Sequence, residues 1–179
     1  MRETQLVALD LFVERGFDAV TVDEIARTIG VAASTVYRHF GTKEGIVLWD
    51  EHDAAIDGAL AAALQRQPPL RAIRDAFVET LAGRYDDERQ LRRIRYIYAT
   101  EQLHAAAVEA DFRDRRELTT ALEHFLSRKN KAAAPLIAGA ALLALDVAIE
   151  EWQRLGTKEL LADLINEKFK IIDHLDTIT

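Results

Sequence analysis

The chain of 179 residues has no cysteine and only three prolines and eight glycines. Without cysteine, a disulfide framework, thiol catalysis and a cysteine-ligated zinc site are excluded. Because few residues break helices and every extended segment has apolar residues at helical spacing, the sequence predicts an all-α fold. Hydrophobic residues make up 49% of the chain, which is enough for a sizeable core.

Basic charge and long apolar runs are also scarce. The net charge of −7 argues against a protein that holds nucleic acid by bulk electrostatics, so DNA contacts would have to come from local charge. The longest apolar run, ahead of Asp146, has about 11 residues, fewer than the ~20 that a membrane span needs. Residues 1–16 have the pattern of an amphipathic helix with Leu6, Leu9 and Val13 inward, not of a signal peptide. We therefore expect a cytoplasmic protein without membrane contact.

The clearest motif begins with a helix start at Thr21. Thr21 and Glu24 have the spacing of a capping box, and Val20 and Ile25 occupy the two positions of a hydrophobic staple around it. Gly30 is expected to end this helix.

A second short helix follows after a few residues of turn. Val36 and Phe40 are four residues apart and predict a helix Ser34–Phe40 that points both side chains inward, as a helix-turn-helix motif requires. On a helical wheel Ser34 and Arg38 lie opposite Val36. A helix in the DNA major groove presents its outward face to base edges, so Ser34 and Arg38 are the candidate base readers.

The flanks of this helix and the start of the next one are candidates for phosphate contacts. Thr35 and Tyr37 lie on the two flanks, which face the walls of the groove. Thr42 is expected to cap a third helix with Lys43 in its first turn, where free backbone N–H groups and a lysine together favour a phosphate. His39 leans toward the apolar face, so it is either a further DNA contact or a half-buried packing residue.

The stretch from Leu9 to Ile46 resembles the TetR family of bacterial transcriptional repressors. This resemblance implies that Thr35, Tyr37, His39 and Lys43 hold DNA phosphates, and the capping residue Thr21 joins the candidate DNA contacts. The residues on which it rests are Leu11-Phe12-Val13-Glu14-Arg15-Gly16-Phe17, Thr21-Val22, Ile25-Ala26, Gly30-Val31, Thr35-Val36-Tyr37-Arg38-His39-Phe40 and Lys43-Glu44.

The chain departs from the family pattern at Ala32, where a serine or threonine usually starts the recognition helix. Loss of that cap would cost about 1 kcal/mol of helix stability, and we expect Ser34 to serve instead. The predicted organisation is a helix-turn-helix domain over residues 1–47 and a ligand-binding and dimerisation domain over residues 48–179.

In the second region the sequence predicts long helices throughout. The small residues of the most apolar segment, residues 135–149, allow close helix approach, and the last helix has an apolar stripe. The family resemblance implies a homodimer through these last two helices, which also fits the reading of a palindromic operator by two recognition helices. The predicted helices are 42–65, Leu70–Tyr85, Glu88–Glu101, His104–Arg128, Ala134–Leu155 and Lys158–Leu175, and the stripe is Leu161, Leu164, Ile165, Phe169, Ile172 and Leu175.

A small apolar or amphipathic effector is expected inside this region, with no cofactor or metal. Asp146 lies among apolar residues and must be paired, neutral or exposed, and a binding pocket is one place where such polarity is tolerated. Aromatic residues at helical spacing also occur in ordinary cores, so both interpretations stay open. The candidate lining residues are Trp49, Asp53, Phe77, Leu81, Tyr96, Tyr98, Glu101, His104, Phe112, Asp146 and Glu150.

Three alternative interpretations remain. The four arginines between 89 and 95 either clamp phosphates of a nucleotide-bearing effector or form a solvated face balanced by the acidic residues 86–88. Together with Tyr96, the 100–103 turn and Trp152, they give the C-terminal region a weaker resemblance to regulators that sense acyl-CoA thioesters. Glu101 and His104 have the spacing of a di-iron ligand pair, but the second pair that an enzyme would need is missing. A helical ligand-binding protein without DNA binding is the other alternative.

Overall fold

The computed structural model describes residues 1–81, 88–155 and 159–174, and within these ranges every regular element is helical. The all-α prediction is confirmed. The α-helices are α1 Arg2–Arg15, α2 Val22–Thr28, α3 Ala33–Phe40, α4 Lys43–Leu48, α5 Asp53–Leu64, α6 Pro69–Leu81, α7 Glu88–Ala99, α8 Glu101–Phe125, α9 Ala134–Leu155 and α10 Leu161–Asp173, with a short 3-10 helix Arg128–Ala133.

The described helices form two compact units. The first contains residues 1–51 together with 92–108, and the second contains residues 52–91 and 109–179. The helices α7 and α8 therefore contribute residues to both units. The division of functions at residue 47 stays a prediction.

The first unit is a small helical domain built around the two helices of the predicted motif. Its buried core includes Phe12, Val20, Ile25 and Ile46, and Leu103 from α8 joins the same cluster. Both staple residues, Val20 and Ile25, are fully buried. The domain is thus held by apolar contacts from α1 through α4 and from the start of α8.

Local signals at the helix ends act largely as predicted. The Thr21 hydroxyl accepts a hydrogen bond from the Glu24 N–H at 3.2 Å, which starts α2. Gly16 and Gly30 have positive φ angles of 86° and 73° after α1 and α2, a conformation that glycine adopts without steric cost. The Glu24 carboxylate is ion-paired with Arg15.

The inward face of α1 differs from the predicted one. Leu9 is buried as expected, but Val13 is 46% exposed and Leu6 only partly buried, whereas Gln5 and Phe12 are buried. The predicted Leu6, Leu9 and Val13 face was wrong because the Gln5 amide is drawn inward by hydrogen bonds to backbone carbonyls near the end of α4.

The long helix predicted over residues 42–65 was also wrong, because it is broken into α4 and α5. Trp49 ends α4 in an extended conformation, with φ −53° and ψ 128°. Carbonyls at a helix end need partners, and the Gln5 amide donates to those of Ile46 and Val47 at 3.0 and 3.2 Å. These long-range partners stabilise a break that no proline or glycine announces.

The second unit contains long helices that pack against one another. α6 packs against α5, α9 and α10, and α9 packs against α10. Phe77 on α6 meets Phe169 on α10 with ring centroids 6.4 Å apart, and Trp152 on α9 is fully buried. The predicted bounds of α9 match the observed ones, whereas the ends Tyr85, Lys158 and Leu175 of two predicted helices lie outside the described residues.

The apolar stripe of α10 is used inside this unit. Leu161, Leu164, Ile165 and Phe169 are at most 2% exposed within a single chain. They pack on α6 and α9, so the interpretation of these four residues as a surface for a second subunit was wrong.

The outward face of α9, in contrast, is apolar. The helix buries its alanines, including Ala138, Ala141 and Ala148, and leaves Leu136 74% and Leu143 61% exposed. The helical segment Arg128–Leu155, with a mean hydropathy of 2.1 over its most apolar stretch, is long and apolar enough to cross a membrane by length and composition alone. The description of α9 as simply a buried helix was therefore incomplete.

Candidate nucleic-acid interface

The recognition helix α3 has two clearly different faces. Val36 is 2% exposed and Phe40 is partly buried against the core of the first unit. On the other side Ser34, Arg38 and Tyr37 are exposed, with Tyr37 at 49%. The polar groups thus point to solvent from a helix anchored by its apolar face.

His39 and Thr35 complete this surface. His39 is exposed, so the alternative interpretation as a half-buried packing residue was wrong. Thr35 is half-buried on the flank of α3. A groove of about 230 Å³ runs beside both residues and is lined on its other side by Met1, Glu3 and Thr4 of the first turn of α1.

The start of α3 lacks the cap expected from the sequence. Ala32 is the N-cap residue and makes no side-chain cap hydrogen bond, while Ser34 lies inside the helix. Ser34 therefore does not replace the missing cap, and its exposed hydroxyl is available to a ligand.

Lys43 has internal partners that the sequence analysis did not foresee. Its ammonium group donates to the backbone carbonyls of Phe17 at 2.7 Å and Val20 at 3.2 Å, and it lies 4.2 Å from the centre of the Phe17 ring. An ammonium group has three donors, so one hydrogen remains for a phosphate. Lys43 ties α4 to the segment before α2, and its contact with DNA stays a prediction.

The candidate effector residues are divided between the two units. Trp49, Tyr96, Tyr98, Glu101 and His104 belong to the first unit and Asp53, Phe77, Leu81, Phe112, Asp146 and Glu150 to the second.

In the first unit these residues have partners within the unit. The Trp49 ring lies edge-on to Phe40 at 6.0 Å between centroids. The Tyr96 hydroxyl donates to the carbonyl of Phe12 at 3.0 Å. Tyr98 is stacked on His104 at 5.3 Å, and Glu101 is exposed.

In the second unit the candidates are a mixture of core and surface. Phe77 and Leu81 are buried, at 5% and 3% exposure, as in an ordinary core. Phe112 is 53% exposed with the Arg115 guanidinium over its ring at 4.8 Å. Asp53 and Glu150 are exposed, so neither is part of a core.

Asp146 is the unusual group of the second unit. It is half-buried on α9. Its pKa is raised to about 6, first by burial and then by the nearby carboxylates of Asp111 and Glu150. Because of this raised pKa the carboxyl group is protonated in a substantial fraction of molecules near pH 6, and the protonated form can donate a hydrogen bond to a ligand oxygen.

Two of the arginines of α7 form ion pairs with different aspartates. Arg92 pairs with Asp10 at 2.7 Å, and Arg93 pairs with Asp50 at 2.9 Å. These two guanidinium groups are therefore engaged within the first unit, and a clamp of all four arginines on one phosphate group does not fit. Of the predicted balancing residues, Asp86 and Asp87 lie outside the described residues.

Sequence reasoning missed Gln5 and Arg93 as residues that hold the end of α4. Arg93 donates to the carbonyl of Trp49 at 2.6 Å and is buried, at 6% exposure. Gln5 donates to the same carbonyl at 2.7 Å. The only sequence signal was a glutamine in the first half of α1, which is too common to identify a partner.

Metal ligation gains no support in the described ranges, where no group of three or more side chains that could bind a metal ion is found. The Glu101 and His104 pair lies at the start of α8 with both side chains exposed.

Comparison with known proteins finds a family model that matches the N-terminal part of the chain. Residues 6–48, which span most of α1 and all of α2 through α4, match the model of the bacterial regulatory proteins of the tetR family. This segment of the chain is therefore similar to the tetR family of bacterial regulatory proteins. The match covers the whole helix-turn-helix region and the exposed face of α3, which agrees with the resemblance seen in the sequence.

One curated relative and two solved structures are similar to longer stretches of the chain. The transcriptional regulator TcmR of Streptomyces glaucescens is 39% identical over 85 residues, which cover 45% of this chain and 37% of TcmR. The chain thus spans little more than a third of that relative's length.

The two structures cover nearly the whole chain. The fatty acid degradation regulator FadR of Bacillus halodurans superposes with a TM-score of 0.61 at 16% identity, covering 99% of both chains. Thermus thermophilus FadR, solved in complex with lauroyl-CoA, has a TM-score of 0.56 at 17% identity, covering 99% of this chain and 95% of its own. At these identities the likeness establishes the TetR-like fold, an N-terminal helix-turn-helix domain followed by a helical domain.

Proposed function

We propose that this protein is a ligand-responsive transcriptional regulator, acting as a repressor, that binds a palindromic operator as a homodimer. A small apolar or amphipathic effector releases it from DNA. The observation that supports this most directly is the exposed polar face of α3, which is mounted on a buried apolar face within a TetR-family domain.

The roles proposed for the α3 side chains follow from their positions. Arg38 and Ser34 lie on the outward face and read base edges, with Arg38 suited to guanine. Tyr37, His39 and Thr35 bind phosphates on either side of the groove. Thr21 and Lys43 extend the phosphate contacts to the starts of α2 and α4.

Two copies are needed because one helix of this length contacts few base pairs, whereas two helices about 34 Å apart read a palindrome. The last two helices supply the interface in this proposal. Its apolar surface is the outward face of α9, where Leu136, Leu143 and Val147 are exposed in a single chain. α10 contributes through its outer side, where Ile171 is 39% exposed.

The effector site is proposed in the second unit around Asp146 and the exposed ring of Phe112. Each effector can shift DNA binding only by its difference in affinity for the two states, and operator DNA must weaken effector binding by the same factor. Lauroyl-CoA is the first probe to try, because a protein of the same fold was solved with it. Dodecanoate separates recognition of the acyl chain from recognition of the nucleotide.

The decisive experiment selects DNA from a random duplex pool with the purified protein and measures affinity by fluorescence anisotropy. We expect enrichment of a palindrome, and a loss of that selectivity in Arg38→Ala. Recovery of no enriched sequence would favour a helical ligand-binding protein without DNA binding. Addition of lauroyl-CoA and dodecanoate to the selected complex then tests release.

A further inference from the structure

The end of α4 carries a set of contacts that the proposed interface does not use. The backbone carbonyl of Trp49 accepts hydrogen bonds from Gln5 of α1 at 2.7 Å and from Arg93 of α7 at 2.6 Å. The ring of the same residue lies edge-on to Phe40, the last residue of the recognition helix. We call Trp49 with these three partners the α4 junction.

The buried position of Arg93 makes it the strongest element of this junction. Its guanidinium donates from one nitrogen to the Trp49 carbonyl and from another to the Asp50 carboxylate at 2.9 Å. The side chains of Arg93 and Asp50 are only 7% and 13% exposed. A guanidinium satisfies two acceptors at once through its planar fork, a geometry that the lysine ammonium does not reproduce.

The recognition helix is also joined tightly to α4. A Cβ atom added to Gly45 would lie 2.1 Å from the carbonyl oxygen of Phe40, so only glycine permits this close approach. α3 and α4 are thus held as one body by Gly45 at the near end and by the contact of Trp49 with Phe40 at the far end. A displacement of the end of α4 must displace α3.

We propose that Arg93, Gln5 and Trp49 are positioning residues for DNA binding, which set the orientation of the recognition helix through the α4 junction. α7 supplies Arg93, so a movement of α7 reaches Phe40 through a single residue, Trp49. This inference rests on the proposed function for its readout on DNA, but the junction itself is measurable without DNA.

The test uses Trp49 as its own reporter. The chain has two tryptophans, and Trp152→Phe in the second unit leaves Trp49 as the only tryptophan, which is excited selectively at the long-wavelength edge of its absorption. In that background Arg93→Lys should shift Trp49 emission to longer wavelength and increase its quenching by acrylamide. The matched control Arg92→Lys alters the exposed pair with Asp10 on the same helix and should leave both signals unchanged.

The effect on DNA is measured with the duplex selected from the random pool. Arg93→Lys should weaken binding by roughly tenfold to a hundredfold, the range that corresponds to loss of one charge-assisted hydrogen bond, and Arg92→Lys by less than about twofold. Arg93 acts through Trp49 and Phe40 in this proposal. The double variant Arg93→Lys with Phe40→Leu should therefore bind DNA only slightly more weakly than the weaker-binding of the two single variants.

Two results would overturn the inference. One is unchanged Trp49 emission and DNA affinity in Arg93→Lys, and the other is full additivity with Phe40→Leu. If Arg93→Lys does not fold by circular dichroism, Asp50→Asn keeps the shape of the acceptor and serves for the same measurements. If the unmodified protein selects no DNA, the proposed function fails, while the emission comparison of Arg93→Lys with Arg92→Lys still decides whether the junction exists.

Discussion

A glutamate at Leu143 should separate the proposed dimer without unfolding the chain. Leu143 is 61% exposed on the outward face of α9 in a single chain, so the monomer accepts a charge there. Ile165 on α10 is fully buried inside the second unit. Glutamate at Ile165 places an unpaired carboxylate in the core and should unfold that unit instead.

The magnitude follows from the exposed fraction of the leucine. Full burial of a leucine side chain contributes about 1.5–3 kcal/mol, so burying the exposed part of Leu143 in each of two copies contributes roughly 2–4 kcal/mol per dimer. In a twofold interface the same residue occurs on both sides, so two glutamates also bring desolvation and mutual repulsion. The dimer dissociation constant should therefore rise by about a thousandfold or more.

Sedimentation velocity and circular dichroism together give the answer. We expect Leu143→Glu to sediment as a folded monomer with weak operator binding, and Ile165→Glu to lose helicity. Val13→Glu is the matched control, because Val13 is an apolar residue of α1 that is 46% exposed, and it should remain dimeric. An intact, folded dimer in Leu143→Glu would refute the assignment of the interface to this face of α9.

Three further outcomes are expected. Arg38→Ala should cost about 1–3 kcal/mol on the selected operator and relax the preference at one position per half-site, and an equal loss on random DNA would contradict its role as a base reader. Asp146→Asn should raise the melting temperature at pH 7 by an amount equivalent to about 1 kcal/mol after screening. Because the folded pKa of Asp146 is raised to about 6, the unmodified protein should lose stability as pH rises from about 4 to 6, and thermal melts should show this dependence reduced in the variant. Lys43→Ala should lower the salt slope of DNA binding by about one unit. It should also lower the melting temperature, because Lys43 donates hydrogen bonds to two backbone carbonyls. An unchanged salt slope would show that Lys43 has only this internal role.

The all-α fold and the buried and exposed faces of α3 could be predicted from the sequence, because they depend on residues that are close together in the chain. The Thr21 cap and the burial of Val36 opposite Arg38 follow from spacings of two to four residues. These local rules also gave the bounds of α9 correctly. They require no knowledge of which helices meet.

The break between α4 and α5 and the inward position of Gln5 could not be predicted, because both depend on partners about 40 residues apart in the chain. The sequence around Trp49 is compatible with a continuous helix until Gln5 and Arg93 bind its carbonyl. Similarly, the apolar stripe of α10 predicts that Ile165 is buried, but it does not predict which surface covers Ile165. Apolar periodicity identifies a buried face, whereas the choice between the same chain and a second copy is decided by packing.

The first unit is made of two separate stretches of the chain, and this determines when the unit can finish folding during synthesis. Leu103 completes the core of the first unit and Arg93 fixes the end of α4, yet both follow a 40-residue stretch, 52–91, that belongs to the other unit. When α4 has just emerged from the ribosome, the nascent chain therefore still lacks part of the core of the first unit. The first unit is finished only after residue 108 has emerged from the ribosome.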